Sequence, residues 1–378
     1  MLLLGILTGL IVLVLLVVVH ELGHAIVARR NGVVVEEFGI GFPPTAWSKK
    51  LKNGILFTLN WLPLGGFVRL KGEHDSAKGK GTYGAASFWQ KTKILLAGVV
   101  MNWLIAALLL TILAWFGLPK LVPNQVVLPV DSRVESSPIT LMSIVPGSAA
   151  SEHKFSSGDI IQAVDGQPVS SAAEFIETTR DNAGSEIAIS YERDGVQAVE
   201  NVKLGEDISR GAFGASVGQR ETIHATWSAP IVGVATTAQL SWEVVSGLGG
   251  IIGKLASGAT QQFSGDQSVR EQAKQDLSDV SNSVAGPIGI LGVLFPTAQE
   301  QGVMQVILLA AVISLTLAVM NALPIPALDG GRWWTMVVFR LLKKKLTKDR
   351  EETVQGIGFL VLLGLIVVVT ISDVVKLW

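Results

Sequence analysis

Hydrophobic positions in this chain run in long blocks, not at the spacing of an amphipathic helix. Residues 2–19, extended to 28, then 94–116, 303–323 and 354–372 form four apolar stretches long enough to cross a bilayer as helices. A fifth block, residues 230–252, is Gly-rich and broken by Gln239 and Glu243, so an interfacial or packed helix is expected over 230–256. Between the first two spans the pattern changes to short β-prone runs within 33–40, 55–59 and 67–70, with a turn signal at Pro63-Leu64-Gly65-Gly66. These strands follow the first helix directly. They are expected to lie beside it, with an edge free to pair with an extended chain.

Residues 138–204 read as a compact soluble α+β domain. A strand run from Ile139 to Val145 leads into Pro146-Gly147-Ser148-Ala149-Ala150, a turn and helix start. Strand and tight turn follow in Gly158-Asp159-Ile160-Ile161-Gln162-Ala163-Val164-Asp165-Gly166, then a helix near 172–180 and a strand at 187–193. This order resembles a single PDZ domain. The resemblance implies capture of a substrate or a regulatory chain end by strand addition.

With 49% hydrophobic and 16% charged residues, the chain is expected to be an integral membrane protein. Its net charge of −1 says nothing about partners, and no nucleic-acid partner is expected. The distribution of charge is more telling. Residues 29–93 carry 11 Lys/Arg against 4 Asp/Glu, and residues 332–352 carry 7 against 3, whereas 117–284 carry 11 against 20. The positive-inside rule then puts 29–93 and 332–352 in the cytoplasm, and the N-terminus, the PDZ-like domain and the C-terminus outside. Four spans satisfy this alternation; five would break it. Lipid is therefore an expected partner, and the Lys343-Lys344-Lys345 run is expected to meet anionic lipid.

The first span ends in His20-Glu21-Leu22-Gly23-His24, an H-E-x-x-H motif. Four residues apart on a helix, the two imidazoles share one face and can hold one zinc ion. Glu21 stands beside them, where a carboxylate can accept a proton from metal-bound water. At about 1.5 Å per residue His20 lies roughly 14 Å along the helix from Arg29, inside the hydrocarbon layer. There is no Cys, so the remaining ligand must be His or carboxylate. Glu73, His74 and Asp75 are available. Asp329, in Asn321-Ala322-Leu323-Pro324-Ile325-Pro326-Ala327-Leu328-Asp329-Gly330-Gly331, is better placed: the first and third spans run the same way, which gives it a depth comparable to the two histidines. Prolines that interrupt a helix at membrane depth fit the lining of a wet site.

These pieces resemble the site-two protease family of intramembrane zinc metalloproteases, in particular the bacterial regulator of sigma-E protease group. Ile40-Gly41-Phe42, Pro63 through Val68, Ala97-Gly98 with Asn102, and Gly286 through Ile290 extend the match over nearly the whole chain. The resemblance implies Zn2+ held by His20, His24 and Asp329, Glu21 as general base, and Asn321 holding the substrate backbone. It implies a membrane-associated β-hairpin near 55–70 that stretches the substrate. It further implies a multi-pass protein of the bacterial inner membrane that cuts single-span proteins, such as anti-sigma factors, or remnant signal peptides. Some members carry two PDZ domains, and one is expected here.

The expected architecture is a four-span α-helical membrane protein with a β-hairpin or small sheet and one PDZ-like domain. Its parts are span 1 with the motif (1–30), a cytoplasmic β region (31–93), span 2 (94–116), a linker (117–137), the PDZ-like domain (138–204), and an extracytoplasmic segment (205–302). Span 3 with the second motif (303–331), a cytoplasmic loop (332–353) and span 4 (354–372) complete it. Two other classes compete. A membrane scaffold acting through the PDZ-like domain would bind without cleaving. A metal transporter needs a polar path through both leaflets, and the outer half of span 1 offers none beyond Thr8.

Overall fold

A computed structural model describes residues 2–207, 211–262, 265–283 and 285–377. They form two compact units, Met1–Leu113 with Ala229–Trp378, and Ala114–Ser228. In chain order the helices are α1 (Leu2–Arg30), α2 (Phe88–Leu95), α3 (Ala97–Phe116), α4 (Ala149–Glu152), α5 (Ala172–Asp181), α6 (Ala229–Gln261) and α7 (Gln267–Ser283). After them come α8 (Pro287–Gly289), which runs through a π-helical turn at Ile290–Leu294 into α9 (Phe295–Gln301), then α10 (Val303–Ala322), α11 (Asp329–Leu341) and α12 (Lys348–Leu377). Among the described residues, α1, α3, α10 and α12 are the four helices long and apolar enough to cross a membrane. The chain is a multi-pass membrane protein. The Gly-rich block expected over 230–256 lies in α6, which is not one of the four.

Without water between them, membrane helices gain little from burying leucine and approach closely through small residues. α1 obeys this rule. Leu3, Leu7, Ile11 and Leu15 are exposed, while the buried stripe reads Gly5, Gly9, Leu16, His20, Gly23, His24 and Ala28. Gly5 and Gly9 sit against Pro296 and Phe295 of α9. The stripe that packs against protein is thus also the stripe that carries the imidazoles. α6 packs along α3, where Trp103 donates its indole N–H to Ser241 Oγ at 3.1 Å, and Leu240 and Val244 cover Ala106, Leu315 and Val319.

The β region is an antiparallel pair, β1 (Val35–Lys50) and β2 (Leu56–Leu70), whose register doubles back. Phe38 pairs with Val68 on one side and Phe57 on the other, while 45–50 pairs with 56–60. The extended segments therefore lie in the order 45–50, 56–60, 35–42, 66–70, which leaves 66–70 as an edge beside α1. Gly66 meets Val17 and approaches Glu21.

α12 is held at both ends and bare between them. Near its start Gln355 accepts from the Ala327 N–H at 2.6 Å, and Gly358 packs on Pro326. Near its end the buried Asp373 accepts from the Gly286 and Gly289 amides at 3.1 and 2.8 Å, capping α8.

The second unit contains a three-stranded sheet, β3 (Leu118–Pro119), β11 (Glu221–His224) and β4 (Arg133–Ser136), and a six-stranded sheet. The larger sheet runs β10 (Ala215–Gly218), β5 (Ile139–Ile144), β6 (Ile160–Val164), β8 (Glu186–Arg193), β9 (Val196–Lys203), with β7 (Gln167–Pro168) paired to β6. Compact structure therefore extends on both sides of 138–204. Residues 118–119 and 133–136, in the stretch expected as a linker, join the three-stranded sheet, and 215–218 pairs with β5. The Gly158–Gly166 run has a local cause. Asp165 and Gly166 both take positive φ, 49° and 75°, in the two-residue turn between β6 and β7. Asp159, 1% exposed, accepts from Arg193 Nε and Nη2 at 2.6 Å each and from the Ser156 amide at 2.8 Å.

Burial alone would raise the Asp159 pKa, but the Arg193 hydrogen bonds outweigh it and hold the carboxyl below its ordinary value. A lowered carboxyl pKa stabilises the fold above the unfolded value, near pH 3.9, and that contribution is lost as pH falls toward the folded value. Arg193→Met strands the buried carboxylate, and with Arg193 itself half in solvent the expected cost is about 2 kcal/mol. Hydrogen exchange of β6 and β8 in the full chain should show faster opening in the variant at pH 7, with the difference shrinking below pH 4.

Candidate metal centre and active site

His20 and His24 are carried by the continuous helix α1, and Asp329 opens α11 after the Pro-containing turn 323–328. Three neighbours fix the path of that turn. Ala327 adopts a positive φ of 76°, its N–H is held by Gln355, and Gly330 and Gly331 touch the carbonyls of Leu323 and Ile325. Any side chain on either glycine would push α11 away from the end of α10.

The three ligand atoms converge. His20 Nε2 lies 3.0 Å and His24 Nε2 3.1 Å from Asp329 Oδ2, and the two nitrogens are 3.2 Å apart. Donors about 2.0–2.1 Å from a tetrahedral zinc stand roughly 3.3 Å from one another, so the triangle has the size of one face of such a site. Hydrogen bonding fixes its polarity. His24 Nδ1–H donates to the Ile94 carbonyl at 2.8 Å, which leaves a lone pair on Nε2. His20 Nδ1 is 3.4 Å from the Asn102 amide, whose Oδ1 is buried without a partner. Exchanging the two amide atoms, which are alike in shape, lets Oδ1 accept from His20 Nδ1–H and frees the second Nε2 lone pair as well. Two lone pairs and a carboxylate then face one point, and this donor set suits a divalent cation such as zinc.

Helix α3 supplies the close fit behind the histidines. A Cβ on Gly98 would lie 2.5 Å from His20 Cε1 and from His24 Nε2, and Gly23 of α1 rests on the Ala97 carbonyl and Met101. In front, Glu21, His24 and Asp329 share a cavity of about 180 Å³ with Phe67, Val68 and Tyr83, which has room for several waters. Glu21 therefore faces the same space as the candidate ligands.

Glu73 lines the same cavity, but neither it nor His74 nor Asp75 joins the cluster of His20, His24 and Asp329. Glu73 accepts from Arg332 Nη1 at 2.9 Å, Asp75 from Lys91 Nζ at 2.5 Å, and His74 stands 3.8 Å from Glu352. Arg332, one turn beyond Asp329, also donates to the Glu73 carbonyl and to Glu351, while Glu351 accepts from the Asp75 amide. The Tyr83 ring lies between Arg332 and Lys91, 5.6 and 5.5 Å away. Burial opposes the charge on Arg332, but Glu73 and Glu351 outweigh it and raise the guanidinium above its ordinary pKa. This network ties the loop at 71–83, α2, α11 and α12 together beneath the site. Its charges lie too far apart in sequence to be paired by inspection. Asn321 is not among the described residues lining the cavity, and its amide donates to the Leu317 carbonyl at 3.0 Å.

Asn102 and Gly98 give separate handles on the cation. Asn102→Leu, which removes the acceptor for His20 Nδ1–H, is expected to weaken zinc binding tenfold to a hundredfold, while Asn102→Asp retains it. Gly98→Ala should produce a comparable loss by displacing both rings with every donor still present. Competition with a chromogenic chelator measures all three.

Comparison with known proteins finds relatives across nearly the whole chain. The family model described as Peptidase family M50 matches residues 8–365. Zinc metalloprotease RasP of Bacillus licheniformis is 26% identical, with 96% of this chain and 97% of that protein aligned. Regulator of sigma-W protease RasP of Bacillus subtilis is 25% identical, with 96% of each chain aligned. Among solved structures, the PDZ domain of an SdrC-like protein from Listeria monocytogenes matches 21% of this chain and 86% of its own, at 23% identity and a TM-score of 0.20. With the family model spanning both motif-bearing helices and everything between them, this chain belongs to peptidase family M50.

Proposed function

We propose that the protein is an intramembrane zinc metalloprotease that hydrolyses peptide bonds in the transmembrane segments of single-span proteins. Anti-sigma factors and remnant signal peptides are the proposed substrates. One observation carries the reading: His20, His24 and Asp329 meet within 3.2 Å beside the Glu21 cavity, on helices adjoining or forming candidate membrane spans.

In this reading His20, His24 and Asp329 hold the metal, which when bound supplies Lewis acidity and lowers the pKa of water to about 7. Glu21 accepts the proton of the attacking water on its carboxylate and returns it to the nitrogen of the departing amine. The Ile94 carbonyl and Asn102 hold the two imidazoles in the required tautomer throughout. A helical substrate hides its carbonyls in its own hydrogen bonds, so the scissile segment must first unwind. The edge at 66–70 can compensate its freed backbone groups by strand pairing, and Asn321 can hold the chain once it releases the Leu317 carbonyl. In the second unit, Ile176, Thr179, Phe213 and Val217 line a groove beside the edge strand β10, suited to an added chain. A substrate or a regulatory chain end is the proposed occupant. The proposed setting is the bacterial inner membrane, with both termini and the PDZ-like domain outside, as the Lys/Arg asymmetry indicates.

Glu21→Gln tests the reading. The variant should bind zinc as the parent does yet cleave a single-span reporter in liposomes at least a thousandfold more slowly, in line with loss of a general base combined with metal activation. Chelation of the parent should abolish cleavage, and zinc should restore it. Normal turnover by Glu21→Gln would remove Glu21 from the mechanism.

A further inference from the structure

On the face that the Lys/Arg excess assigns to the cytoplasm, a second cavity of about 650 Å³ opens between the loop at 75–79, α2 and the C-terminal end of α11. It shares no lining residue with the site at His20 and His24. Lys78, Arg340, Lys344 and Lys345 all line it, and none of them forms an ion pair among the described residues. Asp75 is the one carboxylate among the lining residues, and Lys91 already neutralises it at 2.5 Å. Four cations thus surround one space with no remaining anion. Their mutual repulsion favours any ligand that brings negative charge.

The backbone holds the cations there. α11 ends in a turn in which Lys344 N–H bonds the Phe339 carbonyl at 2.9 Å and Lys343 N–H bonds the Arg340 carbonyl at 3.0 Å. Lys343 takes the left-handed position of this cap at φ 53°, where glycine is the usual residue. The reversal folds Lys344 and Lys345 back over the cavity, and the buried Leu346 pins the segment behind them. Arg340 is braced over the Phe88 ring at 4.7 Å, so its guanidinium is oriented before any ligand arrives.

The surroundings point to the source of the anion. Phe88, Met336 and Phe339 form an apolar wall, and the chain neighbours of Phe88 and Arg340 turn large apolar side chains outward: Trp89 is 70%, Leu341 76% and Leu342 59% exposed. A tryptophan and leucines next to a cationic pocket at the end of a span suit the headgroup level of a bilayer. We propose that this cavity binds the phosphate of an anionic phospholipid headgroup, with the acyl chains lying against Trp89, Leu341 and Leu342. The site is independent of the proteolytic reading, and its test uses no proteolysis.

Delipidated full-length protein in neutral detergent is titrated with phosphatidylglycerol, phosphatidylcholine or potassium phosphate, and the thermal unfolding midpoint is followed. Phosphatidylglycerol should raise the midpoint and phosphatidylcholine should not. Arg340→Gln/Lys344→Gln/Lys345→Gln should shift half-saturation to roughly a hundredfold more lipid, each neutralised cation contributing about fivefold. Lys344→Arg/Lys345→Arg should respond like the parent, which guards against a mere folding defect. Lys49→Gln/Lys50→Gln/Lys52→Gln removes the same charge from the β region and should leave the response intact. An equal response in the triple pocket variant, or loss of response in the β-region variant, overturns the site. Saturation by millimolar phosphate to the same midpoint overturns the lipid in favour of a soluble anion.

Discussion

Two imidazole nitrogens and a carboxylate oxygen within 3.2 Å of one another form an unfavourable arrangement in an apolar layer unless positive charge lies among them. Much of the surrounding structure enforces that meeting. Gly98 leaves the space that both rings occupy, Gly23 lets α1 settle onto α3, and Gly330 with Gly331 brings α11 against the end of α10. The Ile94 carbonyl and Asn102 then choose which nitrogen of each ring faces inward. None of these six residues need touch a substrate, yet each sets a coordinate of the groups that would.

Holding such a site costs stability, and the compensation lies just beneath it. The Arg332 guanidinium joins Glu73 and Glu351, with Asp75 and Lys91 completing the network around Tyr83. Partly buried charges of this kind contribute modest net stability but penalise every arrangement that separates them. Because Arg332 sits one turn beyond Asp329, that penalty falls on any rotation or slip of α11. The network therefore registers Asp329 against α2, α12 and the loop at 71–83, a task that apolar contacts in lipid perform poorly.

The rest of the membrane unit is less constrained. α12 is clamped by Gln355 and Glu351 near one end and Asp373 near the other, with lipid-exposed residues between. The edge of β2 lies open next to Glu21. A rigid candidate metal site, bordered by a strand edge that is unpaired among the described residues and by a helix clamped near its two ends, is physically suited to receiving a long apolar chain. Peptidase family M50 membership is consistent with that use.

The order of the residues determined what local chemistry can determine. Uninterrupted apolar blocks fixed the membrane helices, because a span needs only length and the absence of charge. The H-E-x-x-H spacing put two imidazoles on one face, because helical pitch is a local property. The shared direction of the first and third spans put Asp329 at the depth of the two histidines and so favoured it among several carboxylates, and the family resemblance implied the same residue. The tertiary structure decided what depends on distant partners. Glu73, His74 and Asp75 were equally plausible as ligands by type, and it is Arg332, Glu352 and Lys91 that draw them aside. Strand β10 joins a sheet whose core lies some 70 residues earlier, and no short-range pattern announces such a pairing. Gly98 and Asn102 sit in an ordinary apolar helix, and only the approach of α1 shows that one makes room for the histidines and the other orients them. Pitch and hydropathy are written in neighbouring residues; a binding site is written in distances between residues far apart, and those exist only once the chain has folded.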